Sequence, residues 1–207
     1  MLFKKFFHSK KTFDSGAYWE ARYASGRTSG EGSYGELASF KAKVLNHFVD
    51  THDIETVIEH GCGDGNQLTL TNYRSYLGFD VSTTAVNKCR EKFKDDQSKR
   101  FELVSDYHGE KADLTLSLDI LYHLVENDIF HAYMERLFSS AEKYVIIYSN
   151  NLDRGSAKNK AHVRFRKFTD WIESNAPGWT LAQRVENPYK QVSTADFYIY
   201  SKLPKNE

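Results

Sequence analysis

The run Val57-Ile58-Glu59-His60-Gly61-Cys62-Gly63-Asp64-Gly65-Asn66 constrains this chain more than any other stretch. β-Branched residues lead to an acidic residue and then to glycine at every second position, which predicts a buried strand that breaks sharply into a turn and opens a helix. Such a turn takes tight dihedrals and lets a ligand approach the main chain without meeting a Cβ. The free N–H groups of the following helix then face the same site. The fold has to put this turn at one edge of a sheet.

The rest of the chain supplies that sheet. Over 36–50, Leu37, Phe40, Val44, Leu45, Phe48 and Val49 recur at helical spacing. Strands are predicted over 56–59, 76–80, 101–105, 113–118 and 143–148, with helices over 66–73, after Ser82 or Thr83, from Asn127-Asp128 and over 168–174. Two last strands, 179–185 and 197–201, are joined by a turn containing Pro188. Strands alternating with helices and ending in a hairpin predict a doubly wound α/β fold: a seven-stranded, mostly parallel sheet with helices on both faces and an antiparallel C-terminal hairpin.

Length and charge narrow the classes of function. A chain of 207 residues, 40% hydrophobic, fits one domain, with 1–35 as an N-terminal tail and lid and 36–207 as the α/β core. Lysine plus arginine and aspartate plus glutamate balance at 28 each, so no global field favours nucleic acid or an anionic membrane. Only Cys62 and Cys89 occur, which argues against a disulfide framework and for a reducing cytoplasm. No apolar run approaches the ~18 residues that a membrane span needs. The stretch 1–11 mixes phenylalanine with lysine and reads as a loose tail rather than a membrane-touching segment. Between Ser25 and Gly35, Gly26, Gly30, Gly32 and Gly35 alternate with serines, a composition suited to a lid over a bound ligand.

A dinucleotide fingerprint started at Gly61 needs a third glycine at 66, which is Asn66; started at Gly63 it needs one at 68, which is Leu68. A nicotinamide oxidoreductase is therefore disfavoured. Glu59-His60-Gly61-Cys62-Gly63-Asp64-Gly65 instead resembles motif I of the class I S-adenosylmethionine-dependent methyltransferases, whose fold is Rossmann-like. Asp80 ends the second strand 19 residues after Gly61, where a carboxylate accepts from both ribose hydroxyls, and it matches the family's second motif. The segment 113–124 resembles the family's fourth-strand motif, and the order of elements agrees over nearly the whole chain. The resemblance implies S-adenosyl-L-methionine as cofactor. Gly61, Cys62, Gly63 and Asn66 would cradle its methionine part, with Glu59 close to the amino group. Asp80 and Val81 would take the ribose end, Asp106 and Tyr107 the adenine, and Ser117, Leu118 and Asp119 would lie near the reacting methyl.

The acceptor is less constrained. His123, beyond the fourth strand, is the candidate general base, with Asp119 orienting it, acting itself or binding the acceptor. Asp119 with Asn150, Asn151 and Asp153 offers oxygen ligands for a divalent ion, but the spacing fits loosely and a metal-free site is the expectation. Alternation puts His162, Arg164 and Arg166 on one side of an extended stretch, able to bind a carboxylate or phosphate; a solvated, salt-bridged edge explains them equally well. Tyr34 and Tyr122 complete the expected acceptor site. The favoured reading is O-methylation of a small polar acceptor, neutral or anionic, such as a sugar, phosphorylated sugar or related cell-surface precursor, with N-methylation open. The alternative is a protein-directed methyltransferase, or a non-catalytic S-adenosylmethionine-binding subunit that needs a partner.

Overall fold

The computed structural model describes residues 13–156 and 160–204, so the expectation for 1–11 lies outside the described residues. Helices α1 (Ser15–Ala24) and α2 (Gly35–Thr51) precede the sheet. Then come β1 (Thr56–His60), β2 (Ser75–Asp80), α3 (Thr83–Lys92), β3 (Lys99–Leu103) and β4 (Ala112–Leu118). After them follow α4 (Asn127–Ser139), β5 (Ala141–Ser149) and a short ribbon of β6 (Gly155–Ser156) with β7 (Arg164–Phe165). Helix α5 (Phe168–Asn175) leads into the hairpin β8 (Trp179–Val185) and β9 (Asp196–Lys202).

The main sheet has seven strands in the order β3-β2-β1-β4-β5-β9-β8. β1 to β5 run parallel, and β9 is antiparallel to both β5 and β8. This is the doubly wound sheet with an antiparallel hairpin that the element order predicts. Every residue of β4 is buried because helices cover both faces of the sheet. Alternation sorts its neighbours: Leu114, Leu116 and Ile146 pack with Leu45 and Phe48 of α2, whereas Val145 and Ile147 pack with Met134 of α4 and Phe168 of α5. The strand order reverses between β1 and β4. That switch point opens a crevice at the carboxyl ends of the strands, directly at the glycine turn.

Three local readings change. The predicted helix over 66–73 is only a 3-10 turn, Gln67–Leu70. Threonine hydroxyls divert the backbone there: Thr69 Oγ1 donates to the Asn66 carbonyl at 2.7 Å and Thr71 Oγ1 to that of Leu68 at 3.1 Å. The third strand stops at Leu103, and Val104–Asp106 coils into another 3-10 turn. Within the stretch expected as tail and lid, residues 15–24 form a helix, α1, started by Asp14, whose Oδ1 accepts from Ala17 N at 2.8 Å. Among the described residues no helix is long and apolar enough to cross a membrane.

Candidate functional site

The turn after β1 is shaped by what lies against it. Gly61 (φ +90°) would drive a Cβ into the Ile120 side chain, and Gly63 (φ +58°) would drive one into Ser29 Oγ. Behind the turn, Asp80 accepts from the amides of Gly63 and Ser82, both at 2.9 Å. Burial raises its carboxyl pKa although these amides oppose the shift. Glu59, 4% exposed, accepts from Tyr76 Oη at 2.7 Å. Burial pushes its pKa up to about 7 against the pull of that hydroxyl and of the Lys41 charge. Gln67 donates through Nε2 to the Ala38 carbonyl at 3.1 Å and leaves a buried Oε1 without a partner.

Helix α1 and the glycine-serine loop fold over this turn and are tied down by carboxylates. Asp64 accepts from Ser29 N at 2.8 Å and Tyr34 Oη at 2.9 Å, while its own amide donates to Ser29 Oγ at 3.0 Å. Burial alone would raise the Asp64 pKa, but these donors hold it below the ordinary value. Glu20 accepts from Ser82 Oγ at 2.6 Å and from Thr84 on α3. Glu126, ahead of α4, accepts from Ser15 N at 2.8 Å and Ser15 Oγ at 2.9 Å. This N-terminal segment is thus hydrogen-bonded to three separate parts of the core.

The facing wall comes from the loop after β4. Asp119 adopts a left-handed backbone (φ +61°) and receives Lys41 Nζ at 2.6 Å and Tyr122 Oη at 2.9 Å. Lys41 is 0% exposed on α2. It follows Leu37 and precedes Leu45 by four residues each, so a lysine on an apolar stripe was the signal in the sequence. His123 Nδ1 lies 3.0 Å from the His162 carbonyl, which can only accept, so Nδ1 carries the proton and Nε2 the lone pair. Burial lowers its pKa to about 4, against the pull of that carbonyl. The rings of Tyr18 and His162 stack at 4.7 Å, and Trp19 meets His123 edge-on at 4.8 Å.

Turn, lid and facing wall enclose a cavity of about 480 Å³. Of the predicted cofactor positions, Glu59, Gly61, Cys62, Gly63, Asp80 and Val81 line it, as does Leu118. Asp119, Tyr122, His123 and His162, expected at the acceptor, line it too. Other predicted residues are placed elsewhere. Asn66 Nδ2 holds the Ser33 carbonyl at 2.7 Å, and Tyr34 is bound to Asp64. Ser117 is fully buried behind the wall, its Oγ 2.8 Å from Tyr133 Oη, to which it donates because the tyrosine proton goes to the His60 carbonyl. The early end of β3 leaves Asp106 exposed in its 3-10 turn, and the Tyr107 ring packs on Phe79 instead.

Arg164 and Arg166 are also off the wall. Arg164 Nη1 donates to the Val125 carbonyl at 3.1 Å, Arg166 Nη2 to the same carbonyl at 2.8 Å, and Arg166 also reaches Leu124. They staple the loop before α4, because its carbonyls have no helical partners there. Among the described residues no cluster of three or more histidine, cysteine or acidic side chains is placed to hold a metal ion. Asp119 is engaged by Lys41 and Tyr122, Asn151 Nδ2 donates to Thr169 Oγ1 at 3.0 Å, and Asp153 is exposed. Residues that sequence reasoning missed, Lys41, Trp19, Gln67 and Arg136, all line the cavity.

No protein-family model matches the chain, and no curated protein matches it by sequence. Solved structures do match. The N-methyltransferase NodS from Bradyrhizobium japonicum WM9, in complex with S-adenosyl-L-homocysteine, aligns with a TM-score of 0.71 at 11% identity, covering 93% of this chain and 100% of that one. Magnesium protoporphyrin IX methyltransferase from Synechocystis PCC 6803, with bound S-adenosylmethionine, gives 0.66 at 15% identity over 94% and 100%. The 1,6-didemethyltoxoflavin-N1-methyltransferase from Burkholderia thailandensis gives 0.66 at 19% identity over 91% and 87%. The chain therefore has the Rossmann-like fold of the class I S-adenosylmethionine-dependent methyltransferases.

Proposed function

We propose that this chain is a single-domain S-adenosylmethionine-dependent methyltransferase acting in the cytoplasm on a small polar acceptor. The observation that carries the reading is the set of groups gathered around one covered cavity. Glu59 suits an ammonium, the Asp80 carboxylate suits two hydroxyls, and Val81, Val104 and Ile129 suit a flat ring. Bound S-adenosylmethionine would supply an electrophilic methyl group on a sulfonium. The protein's own part is to align the acceptor and keep water out, which the lid residues Trp19 and Tyr23 do from above.

His123 is the proposed base for a hydroxyl acceptor. Its lone pair is on Nε2, and burial keeps the ring neutral well below pH 7. Asp119, with Lys41 and Tyr122 on its oxygens, is assigned to orienting the acceptor rather than to carrying a proton. A cavity covered by α1 supports a small molecule over a protein-directed or non-catalytic role, which would want an open face. The ring faces of Tyr18, Trp19 and Tyr122 suit a ring-shaped acceptor, and a sugar or related cell-surface precursor stays our preferred class. Two of the structural neighbours are named for ring compounds, magnesium protoporphyrin IX and 1,6-didemethyltoxoflavin. An anionic group on the acceptor finds no support from Arg164 and Arg166, which are bound to carbonyls.

Calorimetry with S-adenosylmethionine and S-adenosylhomocysteine tests the donor half: saturable binding of both is expected, and no binding by folded protein would end the proposal. A metabolite extract incubated with labelled donor and read by mass shift then identifies the acceptor. Product formation should drop ~100-fold or more in His123→Asn if the imidazole takes the proton. Unchanged turnover would remove His123 from the chemistry.

A further inference from the structure

Arg22 stands in the last turn of α1, half-buried, and lines the cavity. Its Nε donates to the Thr28 carbonyl at 2.7 Å, and its Cζ lies 5.6 Å from the centre of the Trp19 ring. The two contacts hold the guanidinium in place. Its outer nitrogens, Nη1 and Nη2, are not spent on the protein. Among the described residues Arg22 has no carboxylate partner, and its side chain donates only through Nε. Arg166 is the opposite case, with its outer nitrogens on the Leu124 and Val125 carbonyls.

The indole that carries this guanidinium also meets the His123 ring edge-on at 4.8 Å. Arg22 and the proposed base therefore sit against one side chain. Electrostatics agrees with that placement. Burial is the chief reason that the pKa values of His123 and His162 lie below the ordinary value, and the Arg22 charge adds to it in both, with Lys160 adding at His162. Nearby carboxylates do not neutralise this charge. Asp14 accepts from Ala17 N, Glu126 from Ser15, and Asp119 from Lys41 and Tyr122. Glu31, exposed on the turn over 31–33, forms no ion pair with Arg22. A guanidinium that is held in place with its outer N–H groups unused suits bidentate recognition of a carboxylate or phosphate.

We propose that Arg22 binds an oxyanion, a carboxylate or phosphate, carried by the methyl acceptor, and so makes the site specific for small acids whose nucleophile lies at His123 across the Trp19 indole. The inference rests on the methyltransferase reading and deepens it, narrowing the acceptor from a small polar molecule to a small acid. Holding the oxyanion fixes where the nucleophile lies, which is the alignment that an in-line transfer needs. Arg22 thereby takes the part that alternation along 162–166 led the sequence to expect of Arg164 and Arg166.

Two measurements on the full chain test it. In the first, protein saturated with S-adenosylhomocysteine is titrated with inorganic phosphate and with acetate while the histidine ring resonances are followed by NMR. Saturable shifts of the His123 and His162 signals are expected with at least one of the two anions. Arg22→Met should weaken that binding about tenfold or more, and Arg166→Met should leave it unchanged. Shifts that persist in Arg22→Met mark an adventitious ion only and overturn the proposal, as does the absence of any shift in wild type. In the second, a metabolite extract is divided on an anion exchanger before incubation with labelled donor. Label is expected in products of the retained, acidic fraction. Arg22→Met should raise KM about tenfold with kcat nearly unchanged, and Arg22→Lys should restore part of the loss. Label confined to the unretained fraction overturns the anion site and leaves the methyltransferase reading intact; if no fraction takes label, the first measurement decides. Thermal unfolding checks each variant, and Arg22→Gln, which keeps an N–H donor, replaces Arg22→Met if that variant does not fold. Protein that binds no S-adenosylhomocysteine overturns both.

Discussion

The turn after β1 and the wall that faces it across the cavity hold their polar groups in different ways. At the turn, these partners lie within 17 residues of each other: Asp80 accepts from Gly63 and Ser82, and Glu59 and Tyr76 sit on adjacent strands. On the facing wall the key partners are far apart. Lys41 and Asp119 are separated by 78 residues, and α2 meets the β4 loop only because both pack at the same end of the sheet. The turn's carboxylates draw their partners from two adjacent strands and the residues just after them. The wall depends on the whole fold being in place.

The largest effect should follow from Lys41→Met. It leaves the Asp119 carboxylate, 13% exposed, without its cation, and removing one partner of a buried pair costs about 3–5 kcal/mol. Urea unfolding measures this, and a Lys41→Met/Asp119→Leu double variant should regain much of it. A loss under 1 kcal/mol would mean that the wall is as self-sufficient as the turn. Next comes Asp80→Ala, which removes a buried charged acceptor and should weaken S-adenosylhomocysteine binding by ~1.5–3 kcal/mol in calorimetry, with a smaller effect on folding. Unchanged affinity would displace Asp80 from the ribose.

Glu59 links the turn to pH. Its carboxyl moves from an ordinary 4.5 up to about 7 in the fold, chiefly through burial. Between those values the folded chain binds more protons than the unfolded one, so this group's contribution to stability is fully present below about 4.5 and is lost as pH rises through about 7. An ammonium prefers the ionised carboxylate, so donor affinity should rise over the same window. Glu59→Gln should flatten both slopes, as followed by unfolding and calorimetry from about pH 5 to about pH 8. A slope kept by the variant would place the titration elsewhere.

The smallest effect concerns the residues that the sequence offered as acceptor ligands. Arg166→Met removes donors to the Leu124 and Val125 carbonyls and should cost roughly 1–2 kcal/mol of stability, with KM for the acceptor unchanged. A raised KM with normal stability would return Arg166 to the site.

Local pattern was enough for the architecture. Alternation, helical spacing and turn residues depend on a few neighbouring positions, so β1, the glycine turn, Asp80 at the end of β2 and the C-terminal hairpin were readable in chain order. The same reasoning brought Glu59, Asp80, Asp119 and His123 toward one cavity, because strand ends of a doubly wound sheet share an edge. It failed where a side chain's direction is set by distant neighbours. Two residues' difference in where β3 ends leaves Asp106 facing solvent, and the carbonyls ahead of α4 decide what Arg164 and Arg166 bind. Nor does a histidine written into the glycine motif reveal its tautomer; Ser140, 80 residues away, does that. Residue type and spacing are one-dimensional, and they carry the fold. A donor finds its acceptor in three dimensions, and that pairing settled which polar groups of this cavity remain available to a ligand.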